Sequence, residues 1–377
     1  MKFPSDLPSP AYVIEEAKLI KNLEILRGVE EKSGAKILCA LKSYALWETF
    51  PLIAQYISGA AASGLYEARL AREEMNKEVS TFCPAITAEN IGEIAELSDH
   101  LIFNSFSQLA SFRDRAITAN PRLEIAVRVN PLYSEVTPAI YNPCVAGSRL
   151  GVPPEEFKEE FLPQLDGLHF HTHCEQNSDA LERAIPHFEK HFGRFLRGKK
   201  WINMGGGHHI TREDYDIAKL IDIVKKFSDK HGVQVYLEPG EAIAWQTGYL
   251  RSRVVDIVRN EMTIAILDAS AAAHMPDCLE MPYRPDVQNA AEWDKKAHNY
   301  RLGGPTCLAG DVVGDYSFSA PLAIGDDVIF EDMIHYTMVK NNMFNGAPLP
   351  AIVKYTKNGE YKVIREFNFN DYRNRLS

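Results

Sequence analysis

Lys42 stands directly after the apolar run 37–41, which is typical of a buried strand. An amine at the end of such a strand lies at the rim of an apolar core, where desolvation favours the neutral form. A neutral amine is a nucleophile and can form a Schiff base with an aldehyde. The same position also suits a lysine whose stem packs on the core while its charge reaches water. Lys42 alone leaves both interpretations open.

Three histidines alternate at the end of a later strand. His169, His171 and His173 would share one face if the strand continued through them. This spacing resembles metal ligation, with Glu238 or Asp268 as a further ligand. Alternatively, one imidazole lies flat on an aromatic cofactor and the others are structural. His169 could also be a packed, hydrogen-bonded core histidine.

A triple glycine and a glutamate follow the next two strands. Gly205, Gly206 and Gly207 could bring backbone N–H groups close to an anion such as phosphate, because no Cβ stands in the way. A flexible turn would have the same sequence. Glu238 precedes Pro239 and could hold a proton on a cofactor's ring nitrogen. It could equally be a solvated or salt-bridged loop carboxylate.

A cysteine and a tyrosine stand out near the C-terminal end of the chain. Cys307 ends the motif Gly303-Gly-Pro-Thr-Cys307, and its flanking glycines indicate a displayed thiol that could act as an acid or nucleophile. A free cysteine is nevertheless more often a small buried hydrophobic residue. Tyr336 precedes a glycine turn at 344–346.

Eight apolar runs alternate with amphipathic segments and must position the first group of motifs. Such alternation predicts a parallel sheet, and eight units fit a (β/α)8 barrel, which we place at residues 30–245. Active sites of these barrels lie at the carboxyl ends of the strands, where Lys42, the histidines, the glycines and Glu238 would meet. The predicted strands are 37–41, 60–63, 80–83, 100–103, 123–129, 166–171, 201–204 and 233–237.

After residue 245 the pattern becomes β-rich, without a long amphipathic helix. It predicts a second, mainly antiparallel β domain at 246–377, joined by residues 1–29 through a strand at 11–14. Within the barrel, the Pro- and Gly-rich segment 130–160 predicts a long loop over the barrel mouth. The predicted β segments are 253–258, 263–267, 325–330, 351–355 and 361–365.

Composition limits the class of protein. The 377 residues carry a net charge of −10, which argues against nucleic-acid partners and mildly favours cationic ones. No apolar run approaches the roughly 18 residues that a membrane span needs, and residues 1–10 do not resemble a signal peptide. The six cysteines show no paired spacing, which indicates reduced thiols and a cytoplasmic protein.

Taken in order, these motifs resemble the fold-type III pyridoxal-phosphate decarboxylases of ornithine, arginine and diaminopimelate. The resemblance extends from Ala11 to about residue 365. It rests on seven motifs: Ala40-Leu-Lys42-Ser-Tyr, Gly167-Leu-His-Phe-His171, Gly205-Gly-Gly207, Glu238-Pro-Gly, Gly304-Pro-Thr-Cys307, Tyr336-Thr and Phe344-Asn-Gly346.

The resemblance implies pyridoxal 5'-phosphate as the cofactor and a role for each motif. Lys42 would form the Schiff base, His171 would stack on the pyridine ring and Glu238 would pair with the ring nitrogen. The triple glycine and Tyr336 would contact the phosphate. Cys307 would protonate the substrate carbon from a second subunit, which implies a homodimer with shared active sites.

Three departures from the family pattern point to a particular substrate. His173-Cys174 replaces the usual Gly-Ser, Glu241 replaces an arginine, and Leu308 replaces an acidic residue. These details resemble the subfamily that decarboxylates carboxynorspermidine and carboxyspermidine in polyamine biosynthesis. Their products would be norspermidine and spermidine. The substrate is then a small cationic amino acid, and four acidic residues are its predicted contacts: Glu241, Asp277, Glu280 and Asp311.

Other functions are compatible with some of these motifs. A decarboxylase of diaminopimelate, ornithine or arginine would use the same machinery with a different side-chain pocket. An amino-acid racemase or a non-catalytic pyridoxal-phosphate carrier shares the barrel, but neither calls for the Gly-Pro-Thr-Cys motif. A metal-dependent hydrolase would rest on His169, His171 and His173, and it would leave Lys42 and the triple glycine unexplained.

Overall fold

The computed structural model describes residues 3, 4 and 6–377. Its strands are β1 (Ala11–Glu15), β2 (Lys36–Ala40), β3 (Gly59–Ala62), β4 (Glu78–Phe82), β5 (His100–Phe103), β6 (Glu124–Arg128), β7 (Gly167–His169), β8 (Trp201–Asn203), β9 (Gln234–Leu237), β10 (Gly248–Asn260), β11 (Met262–Leu267), β12 (Ala290–Glu292), β13 (His298–Gly303), β14 (Val312–Phe318), β15 (Asp327–Glu331), β16 (Ala351–Tyr355) and β17 (Tyr361–Arg365). Its α-helices are α1 (Glu16–Ser33), α2 (Phe50–Ile53), α3 (Leu65–Leu70), α4 (Ile91–Leu97), α5 (Phe106–Ala119), α6 (Ser178–Phe192), α7 (Ile217–His231), α8 (Glu241–Ala244), α9 (Ala271–His274), α10 (Asp277–Glu280), α11 (Thr337–Lys340) and α12 (Phe369–Asn374).

The chain divides into two units. One is Asn22–Ile243, and the other combines the residues up to Lys21 with Ala244–Ser377. We call them the barrel unit and the sheet unit. None of the helices in the described residues has the length and apolar character that a membrane crossing requires.

The barrel unit contains eight parallel strands, β2 to β9, which close in sequence order because β9 pairs with β2. Helices follow most strands, so the predicted (β/α)8 barrel is confirmed. Inward-facing side chains fill the interior, and each large one contributes roughly 1.5–3 kcal/mol by leaving water. A central cluster comprises Leu38, Ala40, Ala61, Ile102, Ala126, Trp201 and Tyr236.

One glycine shows how tightly this interior is filled. A Cβ at Gly167, on β7, would lie 2.4 Å from the indole ring of Trp201 on β8. Trp201 is 1 % exposed, so its ring has no room to move aside. The large indole and the absent side chain are therefore two parts of one packing solution.

The connection from β6 to β7 is the longest in the barrel unit. It contains two short 3-10 turns, at Pro154–Glu156 and Glu159–Gln164. Because it leaves the carboxyl end of β6, it starts on the side where a barrel carries its active site. The Ser134 hydroxyl anchors it there by donating to the Thr172 carbonyl at 2.7 Å.

The sheet unit is built on a nine-stranded sheet. Eight strands follow the order β12-β14-β13-β11-β10-β1-β16-β17, and β15 pairs with β10. Two contacts, β1 with β16 and β11 with β13, are parallel and the rest are antiparallel, which confirms a mainly antiparallel β domain with an N-terminal strand. Its core cluster comprises Leu7, Ala11, Val13, Tyr249, Ile329, Ala351 and Val353.

Candidate active site

Lys42 lies two residues beyond β2, in a turn fixed by hydrogen bonds from the N–H groups of Ser43 and Tyr44 to the Ala40 carbonyl. Its side chain remains accessible to solvent. The surrounding protein still desolvates the ammonium, and this lowers the pKa of Lys42 although Glu238 opposes the shift. The lysine is therefore biased towards the neutral, nucleophilic amine.

Glu238 follows β9 and keeps its negative charge. Asn203 donates to its Oε1 at 2.6 Å, and His169 Nε2 lies 3.7 Å from its Oε2. Burial alone would raise the pKa of Glu238, but the interactions with His169 and Asn203 and the charge of Lys42 together lower it. A carboxylate held in this state can keep a proton on a basic ring nitrogen beside it.

His171 is held as a neutral ring. The Gly206 N–H donates to its Nδ1 at 2.9 Å, which places the ring proton on Nε2. Burial lowers the pKa of His171 well below its usual value, and the charges of Lys42 and Arg128 lower it further. A fixed, uncharged imidazole suits stacking on an aromatic ring.

The triple glycine is required by packing at all three positions. A Cβ would lie 2.7 Å from His171 Cβ at Gly205, 2.3 Å from the Glu238 oxygen at Gly206 and 2.2 Å from the His173 oxygen at Gly207. Gly205 and Gly207 also have positive φ, 73° and 81°. The loop therefore packs directly against the residues that follow β7 and β9, including His171 and Glu238.

Two of the three glycine N–H groups already donate hydrogen bonds within the protein. The Gly205 N–H donates to Asn203 Oδ1 at 2.8 Å, and the Gly206 N–H is used by His171. Within the described part of the chain, no acceptor faces the Gly207 N–H. Of the three predicted phosphate contacts, Gly207 is thus the one with a donor to offer.

The three alternating histidines do not share one strand face. β7 ends at His169, so His171 and His173 lie beyond it. His173 bonds to Gln176 at 2.9 Å and to Thr172 at 3.2 Å. The described residues contain no His, Cys, Asp or Glu group able to hold a metal ion, so the metal-hydrolase alternative is not favoured.

Arg128 is a site residue that the sequence pattern did not reveal. It ends β6 and is 5 % exposed, with its guanidinium 4.7 Å from the centre of the Phe82 ring. Burial lowers the pKa of Arg128 to about 10, and its charge lowers the pKa values of Lys42 and His171. Its signal was an arginine at the end of an apolar strand, the kind of position that drew attention to Lys42.

Glu241 begins α8 and is already engaged inside the barrel unit. Its Oε2 lies 3.1 Å from Nε2 of His209, which is 2 % exposed. The predicted substrate contact therefore already has a polar neighbour, His209, inside the barrel unit.

In the sheet unit, Cys307 is displayed as predicted. It is an exposed free cysteine, and its backbone N–H donates to Asn345 Oδ1 at 2.8 Å. Asn345 lies in the short turn Phe344–Gly346, with φ at 57°. Asn345 thus holds the backbone of Cys307 and leaves its thiol exposed. Tyr336 precedes α11 and has a φ of 37°.

Asp311 is buried and hydrogen-bonded within the sheet unit. It is 4 % exposed, and its carboxylate accepts hydrogen bonds from the Ser270 hydroxyl, the Ala272 N–H and both donors of Thr306. A Cβ at Gly304 would lie 2.3 Å from its Oδ2. These bonds already involve both oxygens of Asp311, and its assignment as a substrate contact stays a prediction. The bonds from Thr306 also let Asp311 stabilise the turn that carries Cys307.

Asp277 and Glu280 lie on α10, one helical turn apart, and both form ion pairs with Lys340 at the end of α11. The structure thus brings together two of the predicted substrate contacts, and it adds a cation, Lys340, that the sequence analysis had not placed there.

Comparisons with known proteins give a consistent result. The sequence profile described as pyridoxal-dependent decarboxylase, C-terminal sheet domain, matches residues 11–334. A carboxynorspermidine/carboxyspermidine decarboxylase of Campylobacter jejuni is 46% identical over 98% of this chain and 99% of the relative. A carboxyaminopropylagmatine decarboxylase of Synechocystis is 44% identical over 99% of this chain and 96% of the relative.

Solved structures agree with these sequence relatives. The crystal structure of carboxynorspermidine decarboxylase complexed with norspermidine, from Campylobacter jejuni, is similar with a TM-score of 0.91 at 46% identity. The similarity covers 98% of this chain and 100% of that one. A diaminopimelate decarboxylase from Helicobacter pylori shares the fold, with a TM-score of 0.81 at 18% identity over 98% of this chain and 97% of that one.

Proposed function

The chain belongs to the pyridoxal-dependent decarboxylases, and from this premise we propose that it decarboxylates carboxynorspermidine, carboxyspermidine or both in polyamine biosynthesis. The products are norspermidine and spermidine. The observation that carries the chemistry is Lys42, an amine of lowered pKa facing a charged Glu238 at the carboxyl end of a (β/α)8 barrel.

The barrel unit fits pyridoxal phosphate. It offers the N–H of Gly207 for an anion, the neutral ring of His171 for an aromatic face and the Glu238 carboxylate for a ring nitrogen. Lys42 would hold the aldehyde carbon. The family resemblance assigns a further phosphate contact to Tyr336, which belongs to the sheet unit. When bound, the cofactor supplies an electron sink for the pair left by the departing CO2.

The chain's own residues hold and move the protons. Glu238 would keep a proton on the ring nitrogen of the bound cofactor, and the charge of Arg128 lowers the pKa values of Lys42 and His171. Cys307 delivers a proton to the carbon that has lost its carboxylate. Asp311 and Asn345 hold the turn that presents this thiol, and their role is positioning.

Acidic side chains support a cationic substrate. Glu241 in the barrel unit, with Asp277 and Glu280 in the sheet unit, would attract the additional amines of a polyamine precursor. The relatives named for such precursors share nearly half of the sequence over almost the whole chain, which supports this class over basic amino acids.

The proposal extends to assembly and location. We expect a homodimer in which Cys307 acts on the partner's cofactor, as the family resemblance implies. We expect a cytoplasmic enzyme, in keeping with six cysteines that are all free thiols.

A panel assay of CO2 release tests the function. The holoenzyme is offered carboxynorspermidine, carboxyspermidine, carboxyaminopropylagmatine, diaminopimelate, ornithine and arginine. We expect the highest kcat/KM for carboxynorspermidine or carboxyspermidine. The agmatine derivative belongs in the panel because the relative named for it is almost as similar as the first. A higher kcat/KM for diaminopimelate, ornithine or arginine would overturn the proposal.

A further inference from the structure

Lys340 places an ammonium group between two acidic side chains of α10. Its Nζ forms an ion pair with Asp277 and lies 2.5 Å from Oε2 of Glu280. Burial would lower the pKa of Lys340, but hydrogen bonds to Asp277 and Glu280 outweigh burial and raise it. The lysine is therefore a bound cation supplied by the chain itself.

The backbone around this ion-pair cluster is firmly tied. The Asn342 N–H donates to the Ala273 carbonyl at 2.8 Å, and its side-chain amide donates to the Ala272 carbonyl at 3.0 Å. The Tyr12 hydroxyl donates to the His274 carbonyl at 2.6 Å. The two Asn342 bonds link the segment after Lys340 to α9, and the Tyr12 bond links β1 to the same helix, which leads into α10. The lysine and the carboxylates are thus brought opposite each other by the fold.

Asp277, Glu280 and Lys340 together carry one net negative charge. Two carboxylates and one ammonium sum to −1, so the cluster can accept one more ammonium without an excess of positive charge. Lys340 is itself a primary ammonium at the end of a methylene chain, the same group that ends a polyamine. It is one-third exposed, and Glu280 is about half exposed, so solvent and a solute can reach the pair.

We propose that Lys340 is a specificity-determining residue that competes with the substrate's distal ammonium for Asp277 and Glu280. This inference rests on the proposed function. By occupying the carboxylates in the free enzyme, Lys340 weakens the binding of every amine that uses them. With Lys340 in place, Asp277 and Glu280 have only one uncompensated negative charge between them. This disfavours substrate tails that place two ammonium groups beside these carboxylates.

Binding of norspermidine to the holoenzyme tests this role by calorimetry at low salt. Lys340→Gln should tighten norspermidine binding by roughly 3- to 5-fold, the range set by one partly exposed ion pair. Propylamine, with one ammonium, should gain less than norspermidine. Lys340→Arg should behave as the wild type, and Asp277→Asn should weaken norspermidine binding.

A matched control separates competition from a change in net charge. Lys295 is exposed in the same unit and forms no ion pair with Asp277 or Glu280, so Lys295→Gln removes the same charge without removing a partner of these carboxylates. Equal tightening in both glutamine variants would overturn the inference, as would unchanged or weaker norspermidine binding in Lys340→Gln at an unchanged Tm. A merely structural lysine predicts a lower Tm and an unchanged preference between norspermidine and propylamine.

The two proposals fail in different ways. Turnover of carboxynorspermidine by the wild type reports on the proposed function. The ratio of Lys340→Gln to wild-type affinity reports on the lysine. A wild type that releases CO2 from this substrate, with a ratio of one, removes only the inference about Lys340.

Discussion

Lys36 and Lys42 lie at opposite ends of the same barrel strand, and they differ in their partners. The Lys36 ammonium is 2.7 Å from Glu78 Oε2. Lys42 forms no ion pair in the described part of the chain, and desolvation of its ammonium by the surrounding protein lowers its pKa. The first lysine is therefore held in an ion pair, whereas the second has an amine of lowered pKa that can act as a nucleophile.

At the amino ends of the barrel strands, charged and aromatic side chains form a network of ion pairs, hydrogen bonds and ring contacts. His100 lies 3.4 Å from Glu78 and 3.5 Å from Glu124, and it stacks on Trp201 with ring centres 4.5 Å apart. Lys200 and the Trp201 indole N–H each reach Glu124 at 2.8 Å. At the carboxyl ends of the barrel strands, the charged side chains include Lys42, which can react, and the buried Arg128. Pairing thus separates a stabilising end from a reactive one.

The largest expected effect breaks this comparison at Lys42. Lys42→Ala should abolish the visible absorbance of bound pyridoxal phosphate and lower turnover by on the order of 10³-fold or more, because no other lysine of the described residues stands at that strand end. Absorbance spectra and CO2 release measure both. Lys36→Ala is the control and should keep the chromophore and turnover. A Lys42→Ala protein with the wild-type chromophore would contradict the assignment.

The two glutamates sharpen the comparison. Glu238→Gln should lower kcat by about 10²-fold while the cofactor stays bound, because the amide cannot hold a proton on the ring nitrogen. Glu124→Gln should leave kcat nearly unchanged and lower the free energy of unfolding by about 1–2 kcal/mol. Steady-state kinetics and urea unfolding distinguish the two outcomes. A loss of kcat in Glu124→Gln alone would show that the stabilising end also serves catalysis.

The smallest effect is the pH dependence of the stabilising end. Hydrogen bonding to His100, offset in part by burial and reinforced by Lys200, lowers the pKa of Glu124 to about 2. A lowered pKa in the folded state gives stability that is present above the unfolded value of about 4.3 and is lost as pH falls towards about 2. The difference in unfolding free energy between wild type and Glu124→Gln should therefore shrink from pH 5.5 to pH 3. A difference that stays constant over this range would place the charge of Glu124 outside the stability of the fold.

Several features could be predicted because they are local. Apolar runs located the barrel strands to within about two residues, and the residue after each run lies by necessity at a strand end. This is why the strand-end positions of Lys42, Glu238 and the triple glycine follow from the amino-acid sequence alone. The displayed Cys307 likewise follows from its own glycines.

Other features depend on partners distant in the sequence. The hydrogen bonds of Asp311 could not be predicted because Ser270, which donates to its carboxylate, is 41 residues away. Lys340 was missed because its partner Asp277 is 63 residues away. The donors of Gly205 and Gly206 could not be counted, since their acceptors depend on how the loop packs. Sequence patterns identify which groups are present, whereas availability is set by tertiary contacts.

The packing of the triple glycine has a consequence for how the sequence can evolve. At each of the three positions a methyl group would lie 2.2–2.7 Å from neighbouring protein atoms. Selection for a correctly folded barrel would therefore preserve the motif even in a descendant that had lost its cofactor. Across a lineage, retention of these glycines records the need for close packing, and a change at Lys42 would be the earlier sign that the chemistry had been abandoned.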